Sequence, residues 1–177
     1  MKNLCLTPSL LLSLCAAFTA AVAAVCDHTR GKIPNLLVLT GLAASAAVHI
    51  LGEGPRGLLP FLTGLAPPFL LLAPAFLLRM TGAGDVKLLM ALGSFFGASG
   101  ALRLLLYVFA CGSIYALLRM ARMRLFAART RYFLTYAADF LSTGVLRPYR
   151  QEGRRPENVC FGIPILFGTL LYIGGVF

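Results

Sequence analysis

Six side chains in this 177-residue sequence carry carboxyl groups: Asp27, Glu53, Asp85, Asp139, Glu152 and Glu157. Glu53 lies in a Gly-Glu-Gly-Pro turn, and Glu152 and Glu157 lie in an arginine-rich stretch where solvated ion pairing accounts for them. Asp139 falls in an amphipathic segment. Asp27 and Asp85 remain, each where a long apolar run meets a polar break. For either one alone, a capping or interfacial aspartate is the plain structural reading. Together they permit chemistry. Like charges a few ångströms apart cannot both ionise cheaply, so one carboxyl keeps its proton. The ionised partner then takes a proton from water as general base, while the protonated partner donates to a scissile carbonyl. That pairing hydrolyses a peptide bond and calls for no metal and no cofactor. Spacing does not bring the two acids together; packing has to do so.

Their local sequences add to this. Asp85 stands in Gly82-Ala83-Gly84-Asp85-Val86-Lys87. Two glycines this close weaken helix and let another backbone approach. Asp27 is followed by Arg30 and Lys32, and then by Ile33-Pro34-Asn35, whose proline precedes the next apolar run. Lys87 reads equally as a counter-charge to the acids or as an ordinary surface cation. A second kind of peptidase chemistry is written in Gly97-Ala98-Ser99-Gly100, a GxSG pattern like that of rhomboid-type serine proteases. A nucleophilic serine needs a histidine base within reach. His28 and His49 both precede Ser99, whereas the rhomboid pattern has the histidine on a later span, so a turn is expected here. Ser45 and His49, four apart on the second helix, are within reach of a mutual hydrogen bond, but helix packing accounts for them adequately. The cysteines Cys5, Cys15, Cys26, Cys111 and Cys160 show no CxxC spacing and read as buried hydrophobes, with neither a zinc site nor a disulfide framework.

The elements that must position these residues are apolar. Hydrophobic residues make up 59% of the chain and charged residues 12%, with a mean hydropathy of +0.84. A soluble domain carries about twice that charge. The expected fold is therefore all-α: a polytopic membrane helical bundle in a single domain, residues 1–177. The apolar runs are about Leu4 to Val25, Leu36 to Leu51, Leu58 to Leu78, Gly84 to Phe96, Ala101 to Leu118 and Val159 to Phe177, which predicts about six transmembrane helices. The first run is read as a retained helix rather than a cleaved signal peptide. The third should kink or break near Pro67-Pro68. Residues 119–158, with nine arginines, form a basic amphipathic cytoplasmic loop suited to anionic lipid.

The net charge is +10, from 16 Lys and Arg against 6 acids. There is no Trp and no groove-reading or base-stacking motif, so nucleic acid is not expected. With the N-terminus outside, thirteen basic residues fall in inner loops, and only Lys2, Arg56 and Arg103 lie outside. The positive-inside bias then puts Asp27 and Asp85 at the cytoplasmic face.

Asp27-His-Thr-Arg-Gly-Lys-Ile-Pro-Asn35 and Gly82-Ala-Gly-Asp-Val-Lys87 resemble the two signature segments of the prepilin peptidases, the polytopic GxGD-type aspartyl proteases also called type IV leader peptidases. The resemblance is close over about Val22 to Gly93 and holds elsewhere only in hydropathy. It implies removal of the short basic leader from type IV prepilins and pseudopilins at the cytoplasmic side of the inner membrane. By motif position it implies Asp27 and Asp85 as the catalytic pair, and Gly82 and Gly84 as shapers of the second segment. Arg30, Pro34, Asn35 and Lys87 fall on further motif positions. Long family members carry a cysteine-rich cytoplasmic loop and methylate the new N-terminus. Cys26 to Leu36 leaves no room for that loop, so the short form of tight-adherence (Flp-type) pilus systems is expected, although archaeal preflagellin peptidases share the plan. The non-enzyme alternative is a small transporter or pilus-assembly factor using the two aspartates as ion or proton ligands. The sequence leaves the oligomeric state and the particular pilin open.

Overall fold

The structure, a computed structural model, describes residues 8–78, 81–122 and 161–176, together with residues 131, 134, 135, 138, 139 and 142. Most of the expected basic segment 119–158 lies outside the described residues, as does the start of the first apolar run. The described chain is all-helical. In order it contains α1 (Pro8–Arg30), α2 (Asn35–Glu53), a 3-10 turn (Gly54–Gly57), α3 (Leu58–Leu77), α4 (Ala83–Ser94), α5 (Gly97–Arg122) and α6 (Gly162–Val176).

Successive helices alternate in direction. Thr19 of α1 lies against Gly41 of α2, and Pro8 lies against Gly52. Gly54, at φ +65°, stops α2, and Gly57 then presses on the His49 carbonyl, so α3 folds back along α2. Gly64 of α3 and Gly93 of α4 meet backbone to backbone. Such small-residue contacts let helices approach closely where lipid supplies no hydrophobic driving force. On the other flank, Gly168 of α6 lies on the Val108 backbone of α5. At the far end Tyr172 of α6 stacks edge-on to Phe96 at 4.9 Å. One end of the bundle therefore collects the end of α1, the start of α2, the end of α3, the start of α4, the end of α5 and the start of α6.

Three segments are long and apolar enough to cross a membrane: Pro8–Arg30, Asn35–Leu77 (which contains the α2–α3 turn) and Gly97–Arg119. The chain is an integral membrane protein. Leu36, Leu39, Leu51, Leu59, Leu70, Leu77 and Leu106 are exposed on the outside of the bundle, where hydrocarbon is the fitting solvent. With 12 and 15 residues, α4 and α6 span only about 18 and 22 Å at ~1.5 Å per residue. By contrast, beyond its exposed first turns α4 is almost wholly buried, through Leu88, Leu89, Ala91, Leu92 and Ser94. It is the hub against which α2, α3 and α5 pack.

Several expected boundaries are corrected. α1 runs to Arg30 rather than stopping at Val25, because its stop signal is Gly31. Gly31 takes φ +62° and donates its N–H to the Asp27 carbonyl at 2.9 Å, closing the helix with a left-handed residue. α3 is continuous through Pro67, Pro68 and Pro74 rather than broken. Pro68 is buried beside Gly93, so its ring fills the α3–α4 seam instead of interrupting the helix. Gly97 to Gly100 is not a turn but the first turn of α5, and the reversal sits at Phe95-Phe96. Of the two glycines in this stretch, Gly97 takes a positive φ, at +68°. Gly100 is small for packing, since a Cβ there would meet the Tyr172 hydroxyl at 2.9 Å.

Candidate active site

A stripe of small residues aims Asp27 inward. Ser13, Ala16, Ala20, Ala23 and Asp27 recur at three- and four-residue intervals, and all are buried. They therefore share one face of α1. Asp27 closes that stripe in the last helical turn, with 9% of its surface exposed. Its Oδ2 accepts a hydrogen bond from the Gly162 N–H at 2.8 Å, at the start of α6. His28 and Arg30 follow on the exposed side of the same turn.

The GAGD segment is built as a helix start. Gly82, extended at φ −75° and ψ 143°, is the N-cap of α4, and Asp85 is the third residue of the helix. A carboxylate at that position can reach back to the N-cap N–H, as in a capping box. A Cβ on Gly82 would stand 3.2 Å from Asp85 Oδ2, so glycine gives the carboxyl room to lie over the cap. Gly84 is different. A Cβ there would meet Ile33 at 3.5 Å, an ordinary contact, so its role is to seat α4 against the Ile33-Pro34-Asn35 segment. Pro34 (φ −64°, ψ 134°) caps α2, and its carbonyl accepts from Leu37 and Val38.

Asp85 is half-buried at the end of the bundle, outside the three candidate spans. Burial foremost, and next the charge of Asp27, raise its carboxyl to about 6, while the Gly82 backbone pulls in the other direction. The two acids thus share one end of the bundle, Asp27 in the last turn of α1 and Asp85 in the first turn of α4. Lys87 does not turn toward them. Residues two apart on a helix do not face each other, and Lys87 Nζ donates to Asn35 Oδ1 at 3.3 Å, tying the exposed start of α4 to that of α2. Among the described residues, no group of three or more His, Cys, Asp or Glu is placed to hold a metal ion.

The other candidates lie elsewhere. Ser99 is exposed on the first turn of α5, at the end of the bundle opposite Asp27 and Asp85. His49 does not bond Ser45; its Nε2 lies 3.1 Å from the Ser94 carbonyl. Ser45 Oγ is buried without a hydrogen-bond partner among the described residues. Gly162 was not singled out by the sequence reading. Its one signal was its place just before Pro164 at the head of the last apolar run.

The fold and site define a class: a polytopic helical membrane protein whose two signature acids gather at one end of its bundle. The chain belongs to the type IV leader peptidase family, whose model matches residues 13–117, more than half of the sequence and inclusive of both acids. It is an aspartic-type prepilin peptidase, and membership implies cleavage of prepilin leaders. Neither a curated protein nor a solved structure matches the chain.

Proposed function

We propose that Asp27 and Asp85 form the catalytic pair, removing the leader of a type IV prepilin or pseudopilin by direct attack of water. The observation that carries this reading is the arrival of both signature acids at one end of the bundle, Asp27 in the last turn of α1 and Asp85 in the first turn of α4, within the stretch matched to the family. The ionised member of the pair takes a proton from water as the water oxygen attacks the scissile carbonyl. The protonated member gives its proton to the carbonyl oxygen. As the tetrahedral diol collapses and the C–N bond breaks, the acid that drew a proton from water gives it to the departing amine, and a diol hydroxyl returns its proton to the other acid. The leader leaves with a new carboxylate, and the pilin keeps a new amino terminus.

Six alternating passes with the N-terminus outside fit this job, with α4 entering the apolar layer from Val86 onward. They put the pair at the cytoplasmic face of the inner membrane. Only Lys32 and Gly31 separate the end of α1 from the Ile-Pro-Asn motif, which supports the short form without methyltransferase activity. The basic segment 119–158 would rest on anionic lipid.

The test is cleavage of a synthetic prepilin by purified enzyme in liposomes made with ¹⁸O water. The expected result is a single cut at the leader boundary with one ¹⁸O in the leader's new carboxylate. An inserted protein that leaves prepilin intact and instead carries an ion flux would overturn the reading.

A further inference from the structure

Resting on that pair, we propose that the backbone amide of Gly162 is a positioning group for the reaction, holding Asp27 by its Oδ2. The contact is a buried hydrogen bond of 2.8 Å between residues remote in sequence. The first amides of a helix have no partner within it, so the head of α6 offers a donor, and Asp27 takes it.

Only glycine fits here. A Cβ on residue 162 would stand 2.9 Å from Asp27 Cβ, 3.0 Å from Asp27 Oδ2 and 3.0 Å from the Ala24 Cα. The last of these is backbone, so a larger residue has to push α6 away from α1. The amide is also carried on an anchored element. Phe161 lies over Gly112 of α5, where a Cβ would meet the ring at 3.1 Å. Pro164 is buried in the first turn of α6, where a missing N–H costs no helix bond. Farther along, Gly168 sits on the Val108 backbone. Contacts with α5 thus fix where the Gly162 N–H points.

The chemical consequence concerns the shared proton. An N–H bonds an ionised carboxylate oxygen more strongly than a hydroxyl oxygen. The Gly162 amide on Oδ2 therefore favours the charged form of that oxygen and fixes how the Asp27 carboxyl faces the rest of the site. This third element of the site comes from outside residues 13–117, the part matched to the family.

The experiment replaces Gly162 by glycolic acid in the full-length enzyme in nanodiscs, turning the amide into an ester that keeps the shape and deletes the N–H. For cleavage of a synthetic prepilin, kcat should fall roughly ten- to a hundredfold, in line with loss of a hydrogen bond to a charged group. KM should change little, and the pH profile of kcat/KM should move. Gly162→Ala should lose at least as much kcat. Asp27→Asn is assayed alongside. An ester variant with wild-type kcat and pH profile, or with altered KM alone, overturns the positioning role while an inactive Asp27→Asn keeps the pair. An active Asp27→Asn instead overturns the pair itself.

Discussion

Replacing Asp27 by Asn should change the titration of Asp85, and the structure sets direction and size. Asp85 is raised to about 6, first by burial and second by the Asp27 charge. At pH 7 roughly one molecule in ten then carries the proton, against roughly one in a thousand for an unperturbed aspartate near 3.9. Asp27→Asn removes the second cause and leaves the first. The midpoint should move down without reaching the ordinary range, because burial is the larger cause. The assay is a pH titration of the Asp85 carboxyl stretch by infrared difference spectroscopy in nanodiscs, with Asp85→Asn as the blank. Stability gives a parallel readout. A carboxyl raised on folding favours the folded state most fully below about 4, and that contribution is lost as pH rises through about 6. The stability difference between wild type and Asp85→Asn should therefore shift against the wild type over that window. An Asp85 midpoint near 4 in the wild type, or one that Asp27→Asn leaves in place, would refute the coupling.

Further expectations follow from the same geometry. The kcat/KM for leader cleavage should decline as pH rises through about 6, because the pair loses its proton; a flat profile from pH 5 to pH 8 would contradict this. Gly82→Ala should lower kcat and displace the Asp85 titration, since its Cβ crowds Oδ2 at 3.2 Å, whereas Gly84→Ala should leave that titration in place, its Cβ meeting only Ile33. Gly31→Ala, at φ +62° in open space, should cost about 1–2 kcal/mol of stability, and Gly31→Asn less, as read by thermal unfolding in detergent. Gly64→Ala should lower the unfolding midpoint, because its Cβ would enter the Gly93 backbone, while Gly174→Ala, with nothing within 4 Å, should be neutral.

Apolar run length made the helical fold legible, and the Asp27 and Asp85 segments stood out because acids at the rims of apolar runs are expensive. The boundaries were harder to read. The polar run Asp27-His-Thr-Arg30 looks like a loop, yet it completes the last turn of α1, because the true stop is the left-handed Gly31. Gly97 to Gly100 looks like a turn for the same compositional reason, but the smallness of Gly100 serves contacts with Phe96 and Tyr172. Pro67-Pro68 signals a kink or break from sequence alone; the Gly93 surface that receives the Pro68 ring belongs to another helix. Gly162 was the least legible of all. Its meeting with Asp27 depends on α6 returning to the end of α1, and no local pattern encodes that. The inward aim of Asp27, by contrast, was written in the Ser13, Ala16, Ala20, Ala23 spacing and could have been read.

The most direct measurement is single-turnover cleavage of a synthetic prepilin by four purified, membrane-inserted proteins: wild type, Asp27→Asn, Asp85→Asn and the double variant. Two acids that share one proton act as a unit, so each single change should cost about as much as both together, on the order of a thousandfold or more. A single variant keeping a tenth of the wild-type rate, or two single losses that multiply in the double variant, would contradict the account.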